Sequence, residues 1–306
     1  MISEKDAQYL EGESNSEKYR ENRFIPLKNV YLNPEYRGRF TIKTPEKVKR
    51  IHDGDVVWVD SPEKDRASVG LIYVQTLDGR AGFKAPWEAK GGLTDWYHFR
   101  EILRFGVDAV GAANNLRRGN KDERPLLLSF YDSELAQYRQ SELWKPRHPI
   151  GVIVTGSGKI KEGLDNLVFT NEGRAVIFTS EAGRENLESS VKDYPNISVE
   201  VIGKEPRKLD MKQMLRILKS KYDVERFLAL GGPGFSTELI MQGCVDNYFI
   251  NISPELSGND KIRSFFSHQD GLPELMDLEL VSLKMLKYPK GEGAFTLYSH
   301  YVPKIN

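Results

Sequence analysis

The chain has 306 residues, 39% hydrophobic and 29% charged, the profile of a soluble globular protein with room for one large or two modest domains. Its 44 Lys and Arg balance 44 Asp and Glu, which argues against a general nucleic-acid or anionic-membrane surface. The single cysteine, Cys244, excludes an intramolecular disulfide framework and a multi-cysteine zinc site, and no apolar run approaches the ~18 residues of a membrane span. A cytoplasmic protein with no nucleic-acid or membrane partner is expected.

Residues 1–22 are rich in Glu, Lys, Ser and Asn and carry no apolar run. They read as a mobile N-terminal arm, neither signal peptide nor anchor. In 23–66 the short apolar runs Phe24–Leu27, Val30–Leu32, Phe40–Ile42 and Val56–Val59 suggest a few short strands or loops. A strand is expected over Asp55–Asp60, and the whole segment reads as an extension packed on a main domain, 67–306.

From Ala67 the pattern alternates between β and α. Ser68–Gln75 reads as a strand and Thr94–Phe105 as a helix capped by Thr94, with Trp96, Phe99, Ile102 and Leu103 on its apolar face. Strands are expected at Asp108–Gly111, Ile150–Thr155, Arg174–Phe178 and Ile197–Ile202. Helices are expected at Tyr131–Glu142, Glu181–Ser190 and Asp210–Lys221. Leu278–Lys287 and Gly293–Tyr301 read as two antiparallel strands joined by YPKGEG. The sum is an α/β fold: a mostly parallel sheet flanked by helices, with an antiparallel pair at the C-terminus. In such sheets ligands sit outside the carboxyl ends of the strands. The segments there are TLDGR, GAANN, TGSGK, TSEAG and GGPGF.

The most informative stretch is Arg226–Pro254. Arg226–Leu230 is a short buried strand, Gly231–Gly234 break it, Ser236 or Thr237 can cap a helix to about Gln242, and Val245–Ile252 is a second strand. A strand feeding a glycine-rich turn and a helix N-terminus is suited to an anion, since glycines allow close approach and the first helical N–H groups point at it. A tight connection with no ligand fits the local pattern equally well. The five histidines, His52, His98, His148, His268 and His300, show no ligand spacing and read as surface or satisfied core residues.

TLDGR, LRFGVDAVGAANN, PIGVIVTGSG, VIFTS and LGGPGFSTELIMQGCVDNYFINISPELSG occur in an order that resembles the reductase domain of riboflavin biosynthesis, a dihydrofolate-reductase-like fold. The resemblance covers roughly 67–301. It implies an NADPH-dependent reductase of a phosphorylated pyrimidine- or pterin-like small molecule, working as a homodimer built on strands near the C-terminus. It implies that Gly231, Gly232, Pro233, Gly234, Phe235 and Ser236 hold the cofactor pyrophosphate. Asn114 falls where the family has a cofactor-contacting Thr, and Thr155, Ser157, Thr179 and Ser180 are further cofactor candidates. Thr76, Arg80, Arg104 and Leu230 fall at substrate positions, and Asp78 is the best candidate for an acid–base residue. Leu230 stands where the family has a substrate-binding Glu, and Thr76 replaces its Ser. The family's zinc deaminase motifs are absent from the sequence, so deamination is excluded. A non-catalytic nucleotide-binding or scaffolding protein on the same fold, or a reductase of another substrate, are the alternatives.

Overall fold

The computed structural model describes residues 24–38, 42–81, 94, 97–113, 132–160, 174–259, 261–262, 264, 266, 272, 274–287 and 295–304. The expected arm, 1–22, Trp96 and Asn114 lie outside them. The strands are β1 (Lys28–Leu32), β2 (Ser68–Thr76), β3 (Ala109–Ala113), β4 (Ile150–Val154), β5 (Ala175–Thr179), β6 (Ile197–Val201), β7 (Arg226–Ala229), β8 (Asn247–Ser253), β9 (Leu278–Lys287) and β10 (Phe295–Pro303). The helices are α1 (Glu46–His52), α2 (Ser133–Glu142), α3 (Glu181–Val191), α4 (Met211–Tyr222) and α5 (Pro233–Met241), with a π-helical turn at His98–Ile102.

These strands form one sheet in the order β1-β9-β10-β8-β2-β7-β3-β4-β5-β6. β8, β2, β7, β3, β4, β5 and β6 run parallel. β10, β9 and β1 add antiparallel strands beyond β8. The α/β expectation therefore holds, including the C-terminal antiparallel pair. Alternation along each strand sends side chains to two apolar layers. Ile72, Val110, Ile153, Ile177, Leu228 and Phe249 pack on one face under α1, the π-helical turn, α2 and α3. Leu71, Val152, Val176, Phe178 and Phe227 pack on the other under α4 and α5.

α4 shows how the sequence builds these layers. Asp210 caps it by accepting from the Gln213 N–H at 2.8 Å. Met211, Met214, Leu215 and Leu218 recur at helical spacing and are all buried. Each such side chain stabilises the fold by roughly 1.5–3 kcal/mol. Asp223 ends the helix in the left-handed region, with φ 57°. No helix among the described residues is long and apolar enough to cross a membrane.

Three local expectations are corrected. Within 23–66, α1 is a helix rather than strand or loop. EKVKRIH offers only Val48 and Ile51 as apolar residues, but both are buried, and Lys47 is buried against Asp132 at 2.8 Å. Asp55–Asp60 is not a strand. Val59 N–H donates to Asn247 Oδ1 at 2.9 Å and Asn247 Nδ2 donates to the Val59 carbonyl at 2.8 Å, so a side-chain amide stands in for a strand partner. Thr94 is not a helix cap: its hydroxyl accepts from the Ile25 N–H at 2.9 Å and donates to the Ile25 carbonyl at 3.1 Å, pinning the segment before β1. β10, the expected dimer strand, lies between β9 and β8, so both its hydrogen-bonding edges are used inside the sheet.

Candidate functional site

The chain order reverses around β2. β3 to β6 step away from it on one side, β7 returns to sit between β2 and β3, and β8 lies on β2's other flank. Loops leaving neighbouring strands in opposite directions open a crevice at the strands' carboxyl ends. The segments after β2, β4, β5 and β7 all leave the sheet at that edge.

The connection after β7 is shorter than the sequence suggests. α5 begins at Pro233, three residues before the expected cap at Ser236, and Gly232 is its N-cap residue. Proline suits the first helical position because its φ is preset and its missing N–H needs no partner. The turn itself is Gly231 (φ 86°) and Gly232 (φ 94°), a backbone path that favours glycine. Gly232 offers no side-chain cap. By helix geometry the N–H groups of Gly234 and Phe235 have no acceptor within their own helix, and a Cβ on Gly234 would meet nothing within 4 Å. The helix start is therefore open at the carboxyl end of β7, and its donors and positive dipole end suit an anion there. The side chains of this turn point elsewhere. Ser236 is fully buried with its Oγ 3.0 Å from the Tyr73 hydroxyl. Phe235 packs edge-on to Phe227 in the core. Tyr73, which sequence reasoning missed, thus ties β2 to α5. Its only signal was its place in an apolar strand.

The loops after β4 and β5 are locked together. Thr155 N–H donates to the Phe178 carbonyl at 3.0 Å, which extends the strand pairing by one residue. The Thr179 hydroxyl donates to the Thr155 carbonyl at 2.6 Å. The Ser180 hydroxyl donates to the Gly156 carbonyl at 2.7 Å and accepts from the Gly183 N–H at 3.0 Å as the cap of α3. The Ser157 carbonyl accepts from Asn186 Nδ2 at 2.9 Å. Closeness is enforced by glycine: a Cβ on Gly156 would lie 1.8 Å from the Pro206 carbonyl oxygen, and one on Gly183 2.0 Å from Thr179 Oγ1. Thr179 and Ser180 thus have their hydroxyls satisfied inside the protein, and they build the crevice wall.

The substrate-side candidates divide. Thr76 is buried, accepts from the Arg80 N–H at 3.0 Å and donates to Asp78 Oδ1 at 2.5 Å. Asp78 also accepts from the Ser257 and Gly258 N–H groups at 3.1 and 3.0 Å. These donors, the Thr76 hydroxyl foremost, hold its pKa down at about 2. Asp78 is therefore an ionised clamp between the loops after β2 and β8, with no proton to give near neutrality. Arg80 donates to the Ile262 carbonyl at 3.1 Å, joining the same clamp. Arg104 is fully buried, with its guanidinium 5.8 Å from the centre of the Phe99 ring. Leu230 is half-buried at the end of β7, packs on the apolar layer under α1 and donates its N–H to the Gly111 carbonyl at 2.8 Å. Among the described residues no cluster of His, Cys, Asp and Glu is arranged to hold a metal ion.

The family model of the RibD C-terminal domain matches residues 68–288. Among solved structures, the chain is similar to a pyrimidine reductase-like protein from Corynebacterium diphtheriae, at 16% identity over 78% of this chain and 93% of that one, with a TM-score of 0.60. It is similar to RibD from Acinetobacter baumannii at 16% identity over 79% of this chain and 59% of that one, with a TM-score of 0.53. It is also similar to the riboflavin biosynthesis reductase of Saccharomyces cerevisiae, at 14% identity over 80% and 93% of the two chains, with a TM-score of 0.51. At these identities the likeness is one of fold.

Proposed function

The chain belongs to the RibD C-terminal domain family, and from that premise we propose that it is an NADPH-dependent reductase of a phosphorylated pyrimidine- or pterin-like small molecule. The observation that carries this reading is the open start of α5, where a two-glycine turn and N–H groups without a side-chain cap follow β7 beside β2. The residues fit a dinucleotide pyrophosphate, which needs backbone donors, a close backbone approach and no competing side chain. Gly231, Gly232, Gly234 and Phe235 would hold it by main chain, and Thr155, Gly156 and Ser157 would form the facing wall. NADPH, when bound, supplies the hydride.

The protein's own contribution is position and exclusion of water. The Thr76–Asp78–Ser257–Gly258 clamp fixes the loop beside the end of β2. Leu230 places an apolar group at the end of β7, where a carboxylate would have recognised a polar heterocycle edge. That substitution favours a substrate with a less polar edge at this point than the family's ribosylaminopyrimidine. The test is loss of NADPH absorbance with the diaminopyrimidine ribosylamino 5′-phosphate and a panel of pterin and pyrimidine phosphates. Turnover of at least one, in wild type and also in Asp78→Asn within about tenfold, is expected. Tight NADPH binding with no turnover of any panel member would favour a binding protein instead.

A further inference from the structure

Beyond β8, the sheet face that carries Ile72 and Leu228 stops being apolar. Pairing register places Asn251 and Phe249 of β8 beside Tyr298 and His300 of β10, and these beside Lys284 and Ser282 of β9. The end of α1 and the π-helical turn roof this floor with His52 and His98. Between floor and roof lies a cavity of about 340 Å³. None of its lining residues belongs to the glycine turn or to the loops after β4 and β5.

The polar groups around this cavity are incompletely satisfied. Lys284 is 5% exposed. Its ammonium donates to the backbone carbonyls of His52 and Asp53, at 2.7 and 3.0 Å. An ammonium has three protons, and the third has no acceptor among the described residues. No carboxylate forms an ion pair with it there, and Asp53 Oδ2 is engaged by the Asn29 N–H at 2.7 Å. The Nδ1 atoms of His52 and His98 are buried and have no hydrogen-bond partner among the described residues. His300 Nε2 lies 3.0 Å from Asn247 Oδ1. A buried ammonium with no carboxylate in direct contact, only the Asp53 and Asp55 charges at longer range, destabilises a fold, and so does each unpartnered imidazole nitrogen. Their concentration around one cavity of ligand-sized volume marks a binding site. Its walls are flat: His98 lies edge-on to Tyr298 with centroids 4.8 Å apart, and His300 stacks on Phe249 at 4.4 Å.

We propose that this cavity binds a small planar organic oxyanion, a carboxylate or a phosphate ester, with the oxyanion on Lys284 and the histidine nitrogens as further partners. The ring of the ligand lies along the aromatic walls, and the anion supplies the direct ion pair that Lys284 lacks among the described residues. The exposed residues Arg37, Asp53 and Asp55 surround the mouth. This site is independent of the reductase reading.

The test is calorimetric titration of the full chain with benzoate and, separately, with inorganic phosphate. Saturable binding of at least one probe is expected, weakened at least about tenfold in Lys284→Met, as loss of a charge-assisted contact requires. Benzoate alone would mark a carboxylate site and phosphate alone a phosphate site. Absence of binding of both probes at high millimolar concentration, or equal binding by Lys284→Met, would overturn the proposal and leave the cavity to water. Should circular dichroism show that Lys284→Met does not fold, the wild-type histidine ring signals in nitrogen-labelled NMR decide. Saturable shifts of His52, His98 and His300 support the site, and shifts confined to other histidines overturn it.

Discussion

The crevice beside α5 and the cavity beneath α1 are both polar, but they are polar in opposite ways. In the crevice the main chain is exposed to a ligand, and the side-chain hydroxyls of Thr179, Ser180 and Ser236 are already bonded within the protein. In the cavity the main chain of the floor is locked in sheet pairing, and the side chains of Lys284, His52 and His98 line the space above it. A backbone site is made by punctuation in the sequence and by tight packing behind it. A side-chain site is made by register, and it carries the cost of burying groups that titrate.

That difference is sharpened first by acid. Burial, with the Lys284 charge, lowers the pKa of His98 and of His300 to about 3 and that of His52 well below its ordinary 6.5. The unfolded chain takes up protons near pH 6.5 and the folded chain refuses them, so stability is full above that pH and falls below it. Each imidazole accounts for about 2 kcal/mol between pH 6.5 and 5. Urea midpoints measured across this range should fall steeply, and His98→Phe should make the fall shallower. A flat profile would mean that the histidines protonate in place.

The crevice is probed by paired glycine substitutions. Gly156→Ala drives a Cβ to 1.8 Å from a backbone oxygen and should destabilise by about 3 kcal/mol. Gly234→Ala enters open space in the first turn of α5 and should change stability by less than about 1 kcal/mol, in the stabilising direction. Thermal unfolding of both variants checks the pair. Equal losses would show that the two faces of the crevice are not, as described, one packed and one open.

Much of the parallel sheet was legible because its strands are runs such as IGVIV, bounded by turn residues, and because α4 repeats its apolar residues at helical spacing. The glycine turn was legible as a break in such a run. Its extent was not, because Ser236 is a good cap by type, yet its hydroxyl is claimed by Tyr73, and Pro233 starts the helix earlier. α1 escaped notice because two apolar residues suffice once Lys47 finds Asp132 across the fold. Asp78 looked catalytic from its position, and only the N–H groups of Ser257 and Gly258, far along the chain, reveal a clamp. His52, His98 and His300 have no common spacing. They meet only because β10 pairs with β8 and the π-helical turn and α1 lie across them.

The central claim is that the main chain at Gly231–Phe235 binds the pyrophosphate of NADPH. Calorimetric titration of NADPH into the wild-type protein and into Gly232→Asp tests it most directly. The account predicts saturable binding by the wild type, lost in the folded variant, whose carboxylate sits at the helix start and opposes an anion there. Absence of wild-type binding at millimolar NADPH, or equal binding by Gly232→Asp, would contradict it.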